Sequence, residues 1–111
     1  MAESIWQVFD LGKLKKMVEG NEPRLHEFLR GPSLSGAIYR LPSGARDMQA
    51  PHHEDEIYFV LEGRARLRVG DEVQEAKPGM MLFVRATAEH SFFDIEEDLT
   101  LVAIFGNTPR L

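Results

Sequence analysis

Three side chains in two short stretches carry donor atoms suited to chemistry on a single metal ion. His52 and Glu56 lie in PHHEDEIYFVLEG, residues 51–63, and His90 lies in PGMMLFVRATAEHSFF, residues 78–93. Imidazole nitrogen and carboxylate oxygen together suit divalent first-row cations, and two His with one acid leave coordination positions open. His52 and Glu56 are too far apart on a straight strand to share an ion, about 13 Å at roughly 3.3 Å per residue. The chain must therefore turn between them, and polar His53, Glu54 and Asp55 stand where that turn belongs. A helix would also bring positions i and i+4 together. Pro51 before and the β-branched and aromatic run IYFVL after argue for a turn entering a strand instead.

The elements that must position these groups read as short strands. Residues 5–9 (IWQVF) form a short apolar strand candidate. Residues 11–19 (LGKLKKMVE) place Leu11, Leu14, Met17 and Val18 at helical spacing, which predicts a short amphipathic helix ended by Gly20 and Asn21. Arg24 to Arg30 is read as a strand, because Pro23 and the Gly31-Pro32 pair leave too little length for a packed helix. Strands then follow at residues 34–41, 56–61, 64–69, 80–84, 90–95 and 99–105, with turns at Gly70-Asp71 and Lys77-Pro78-Gly79. In residues 64–69, Ala65, Leu67 and Val69 alternate with Arg64, Arg66 and Arg68, so one face is dry and the other wet. This regular spacing predicts an all-β barrel or sandwich.

Alternation also aims the candidate ligands. Glu56 shares a face with Tyr58 and Val60, and His90 with Phe92 and Asp94, while Ile57, Phe59 and Leu61 form a second apolar face. Two apolar faces on one strand need two coverings. One is the barrel interior, and the other predicts a homodimer with the N-terminal strand or the Ile57 face at the interface.

The spacing of Glu56, six residues and Gly63, with a His shortly before the acid, resembles the first motif of the small cupins, and PGMMLFVRATAEHSFFD resembles their second. The resemblance covers residues 39–105. It implies a double-stranded β-helix, a jelly-roll barrel over residues 34–111, with residues 1–33 as an extension carrying the N-terminal strand and helix. It also implies one divalent metal ion, of Fe, Mn, Ni, Zn, Cu or Co, inside the barrel. Two departures bear on the site. The first motif usually carries two histidines one residue apart, and Ala50 stands where the first would be, so Gln49 or a water is left to complete the shell. The second usually has Pro, one residue and Gly before its His, where this chain has Arg85, Ala86 and Thr87.

Composition narrows the rest. The 111 residues make one domain, and 43% of them are hydrophobic. A net charge of −5 disfavours nucleic acid and anionic membranes as partners. No apolar run spans a bilayer and MAESIWQVFD lacks the regions of a signal peptide, which makes cytoplasm the expected compartment. Cysteine is absent, so any metal has only nitrogen and oxygen ligands, apart from thioether sulfur. The expected function is metal-dependent dioxygenase or isomerase chemistry on a small molecule held against Tyr58, Met80, Met81 and Phe92. The alternative is a non-enzymatic module that binds a small metabolite.

Overall fold

A computed structural model describes residues 5–47 and 53–106 of the chain. Its elements are one helix, α1 (Leu11–Met17), and six strands: β1 (Arg24–Arg30), β2 (Leu34–Leu41), β3 (Glu56–Val69), β4 (Glu72–Ala76), β5 (Met81–Val84) and β6 (His90–Gly106). All strand pairs are antiparallel. The hydrogen-bonded order is β1-β2-β6-β3-β4, with β5 paired to the Glu56–Phe59 end of β3, and this sheet curls around a core. The all-β barrel expected from the strand spacing is therefore present.

Two long strands carry the architecture. β3 runs unbroken through Gly63 and β6 through the acidic run Glu96, Glu97 and Asp98, each where the sequence suggests two shorter strands. They stay paired because bulges absorb the bend, with the register shifting between Val60 and Arg66. Gly63 makes the bend feasible. It has φ +93°, and a Cβ there would collide with the carbonyl of Asp98 across the ladder.

The inner face is apolar and nearly dry. Tyr39, Leu41, Tyr58, Val60, Leu67, Phe92, Leu99 and Leu101 belong to one buried cluster. Expected alternation holds along Glu56, Tyr58 and Val60, all buried, and along Ala65 and Leu67 between exposed arginines. It fails at Asp94, expected inside beside Phe92. Asp94 adopts left-handed φ +51°, which moves its side chain out to solvent and turns Ile95 into the core instead.

On the outer face, α1 lies over β1 and β2. The Asp10 carboxylate caps the helix by accepting from the Lys13 backbone N–H at 3.1 Å. Only Leu14 and Val18 of the four periodic residues are buried, packed with Ile38, Phe28 and Leu61; Leu11 and Met17 face solvent. Burying each of the two contributes roughly 1.5–3 kcal/mol. The strand expected at residues 5–9 does not form: this segment pairs with no strand among the described residues, and only Phe9 docks, against Phe28 at 4.8 Å between ring centroids.

Candidate functional site

Glu56 is the first residue of β3 and His90 the first of β6. Each follows a turn, and the two turns are tied together. The Asp55 carboxylate accepts from the Ala86 backbone N–H at 2.7 Å, and the Asp55 carbonyl accepts from Gly106 N–H at 2.9 Å. One residue before the acid thus fixes both the turn leading to His90 and the end of β6. Thr87 closes that turn in a left-handed conformation, φ +65°. The Ala88 carbonyl then lies 2.9 Å from His90 Nδ1 and accepts its proton.

With Nδ1–H engaged, the other ring nitrogen is the one that faces the barrel interior. His90 Nε2 lies 2.8 Å from Glu56 Oε1 and 2.9 Å from the Tyr58 hydroxyl. Both side chains of the ion pair are almost wholly excluded from water, at 2% and 1% exposure. The hydrogen bond that Glu56 accepts from His90 holds the His90 pKa above its ordinary value, against burial, which pushes it down. The second carboxylate oxygen, Glu56 Oε2, is buried with no hydrogen-bond partner among the described residues. A buried carboxylate oxygen left so is costly, by about 1–3 kcal/mol or more.

This arrangement fits a cation. Two donors each about 2.0–2.2 Å from a metal and at right angles around it stand about 3 Å apart, close to the observed nitrogen-to-oxygen separation. With Nδ1–H tethered to Ala88, loss of the proton that Nε2 shares with Glu56 would leave the Nε2 lone pair for coordination. Among the described residues no group of three or more His, Cys, Asp or Glu comes together, so Glu56 and His90 form a pair. His52 and Gln49, the other two candidate ligands, lie outside the described residues, as does Met48.

The candidate pocket residues separate. Tyr58 and Phe92 stand inside the barrel beside His90, packed edge to face at 5.1 Å, both buried. Met80 is half-buried against the same core. Met81 does not line the interior: it pairs with Phe59 on the outer face and is 61% exposed, because alternation along β5 turns Met80, Leu82 and Val84 inward and Met81 and Phe83 outward.

Asp47 is a site residue the sequence did not single out. Its carboxylate accepts from Tyr39 Oη at 3.0 Å and from the Phe92 backbone N–H at 2.8 Å, so it anchors the chain after β2 to the strand that carries His90. Asp47 and burial together push the Tyr39 hydroxyl pKa well above its usual value, with burial the larger cause. Its only sequence signal is a lone acid in ARDM, just before the first motif.

An antiparallel barrel with a buried acid and imidazole at its inner surface defines a class of small β-barrel proteins that enclose their site. Within that class the chain belongs to the cupin domain family, whose model matches residues 37–105. It is 36% identical over 100 residues to the uncharacterised protein SCO3923 of Streptomyces coelicolor, covering 90% of this chain and 95% of that one. Among solved structures it superposes on KdgF from Halomonas sp. with a TM-score of 0.70 and 19% identity, covering 83% of this chain and 84% of that one. It superposes on the DMSP lyase DddQ from Ruegeria pomeroyi DSS-3 with a TM-score of 0.72 and 18% identity over 80% of this chain, and spans 49% of that longer protein. At these identities the structural likenesses establish the fold alone.

Proposed function

We propose that this cupin holds one divalent cation, of Fe, Mn, Ni, Zn, Cu or Co, through His52, Glu56 and His90, with Gln49 or water completing the shell, and acts on a small molecule as a metal-dependent dioxygenase or isomerase. The observation that carries the reading is the Glu56 carboxylate: buried, 2.8 Å from His90 Nε2 on one oxygen and, among the described residues, without a hydrogen-bond partner on the other. When bound, such a cation supplies Lewis acidity toward an oxygen-bearing substrate, and a redox-active one supplies O₂ chemistry as well. The chain's own groups do the rest. Glu56 offsets the cation's charge in a dry interior, His90 is held in its coordinating tautomer by Ala88, and the Tyr58 hydroxyl stands where it can hold a proton beside Nε2. Phe92 and Met80 exclude water from one side.

The second reading is a non-enzymatic module that binds a small metabolite. It draws support from the complete burial of Tyr58 and Phe92, which fill the barrel beside the acid and imidazole pair.

Elemental analysis of tag-free protein after reconstitution tests the metal. The expected result is about one ion per chain, lost in His90→Ala and strongly reduced in Glu56→Gln. Substoichiometric metal that neither substitution changes removes the metal reading and leaves the binding module. Oxygen uptake by the iron-loaded protein with enols, catechols and thiols then separates the enzyme from the binder.

A further inference from the structure

Tyr58 brings a third donor atom to the place where Glu56 and His90 meet. It follows Glu56 by two residues on β3, so both side chains leave the inner face of the strand, from Cα atoms roughly 7 Å apart. The length of the phenol closes that gap. Tyr58 Oη lies 2.9 Å from His90 Nε2, and Glu56 Oε1 lies 2.8 Å from the same nitrogen. Two oxygens thus converge on one atom that carries either one proton or one lone pair.

Packing holds the phenol in this direction. Tyr58 is wholly buried, stands edge to face on Phe92 with 5.1 Å between ring centroids, and lies 6.0 Å from the His90 ring. Swinging its oxygen away would require the close-packed core to open. The hydroxyl is therefore aimed at the acid and the imidazole before any ligand arrives.

The distances are those of adjoining ligands. Two donors each about 2.0–2.2 Å from one cation and at right angles around it stand about 3 Å apart, and both separations at Nε2 are close to that. With only a proton between them the two oxygens compete for it, whereas a cation accepts all three donors together. The chain is also one donor short, because Ala50 stands where the first motif usually has a histidine.

We propose that Tyr58 supplies the missing donor as a phenolate oxygen, so that the cation is held by His52, Glu56, Tyr58 and His90 without need of Gln49 or water. Coordination breaks the phenol O–H bond, forms the bond from oxygen to metal and passes the proton to the buffer. The inference rests on the metal reading above and adds a ligand to it.

Phenolate coordination has a spectrum of its own. The chain has two tyrosines, and the other, Tyr39, gives its hydroxyl to Asp47 at 3.0 Å. Adding zinc or iron(II) to chelator-treated protein is expected to give the ultraviolet difference spectrum of tyrosinate, in step with metal uptake. Iron-loaded protein oxidised with ferricyanide is expected to show a visible charge-transfer band from phenolate to ferric iron. Tyr58→Phe keeps the ring and its packing but loses both signals, although elemental analysis with metal in excess still finds the ion; its dissociation constant rises at least about tenfold. Tyr39→Phe keeps both signals. The two ways of failing are distinct. Stoichiometric metal with neither signal, or with signals that survive in Tyr58→Phe, overturns ligation by Tyr58 and leaves the metal reading in place. Protein that takes up no metal ends both.

Discussion

Glu56 Oε1 and His90 Nε2 sit 2.8 Å apart inside the barrel, each on the first residue of a long strand and each delivered by a turn that Asp55 and Ala88 hold in place. A buried acid beside a buried imidazole can share a proton or a cation, and these two occupants compete for the same space. The properties of the site follow from which of them is present.

If the cation is the working occupant, it stabilises the fold by mass action. Adding Mn, Fe, Ni or Zn at about 100 times the dissociation constant is expected to contribute about 2.7 kcal/mol and raise the melting temperature several degrees. Glu56→Gln keeps the shape and removes the charge, so the shift on adding metal should fall by most of its size. A wild-type melting temperature indifferent to every metal removes the prediction.

Without metal, the proton takes over. The His90 pKa is raised from its ordinary 6.5 chiefly by the hydrogen bond to Glu56, with Tyr58, Asp47 and the Ala88 carbonyl also facing the ring. A raised histidine pKa contributes stability that is fully present below pH 6.5 and is lost as pH climbs through the folded-state value. Thermal denaturation of chelator-treated protein from pH 5 to 9 is therefore expected to show a decline above neutrality that Glu56→Gln abolishes. An identical pH profile in the two proteins contradicts this assignment.

Gly63 should tolerate no side chain. Its Cβ would enter the Asp98 backbone, and its φ of +93° penalises any L residue. Gly63→Ala is expected to cost more than about 3 kcal/mol or to abolish folding, read by urea denaturation or by soluble yield. A loss below 1 kcal/mol would show that β3 bends by another means.

Thr87 should prefer to be glycine. It stands where the cupin second motif usually has Gly, and it holds a left-handed φ of +65° that a β-branched residue dislikes. Thr87→Gly is expected to stabilise the protein by about 1 kcal/mol, less the entropy that glycine adds to the unfolded chain, with metal content unchanged. Destabilisation would mean that the bond from Thr87 Oγ1 to the Ala86 carbonyl matters more than the backbone strain.

Asp47→Asn tests the anchor. Both Asp47 oxygens accept, so an amide leaves one of the two donors, Tyr39 Oη or Phe92 N–H, facing an NH₂ group. The expected result is a loss of about 1–3 kcal/mol in stability. Tyr39→Phe combined with Asp47→Asn should cost less than the two added separately, because they share a hydrogen bond. Strict additivity would show that the bond contributes nothing.

How far the fold could be read depended on where the backbone kept a period of two. Along Glu56, Tyr58 and Val60, and along Ala65 and Leu67, side-chain character alone placed each residue on its observed face. Where a residue left the β region the pattern lost its phase. Asp94 turned outward and Ile95 inward.

What the sequence determined by itself was the barrel, its inner face and the types of group that face one another in it, because these depend on local alternation and on a motif a few residues long. Only the tertiary structure decided that, among the described residues, Glu56 Oε2 is left without a hydrogen-bond partner, Asp47 ties the Tyr39 hydroxyl to the Phe92 backbone, and residues 5–9 pair with no strand. The reason is physical: hydrogen-bond satisfaction and edge pairing are settled between segments distant in sequence, by which donors and edges remain once the bulges in β3 and β6 have set the register.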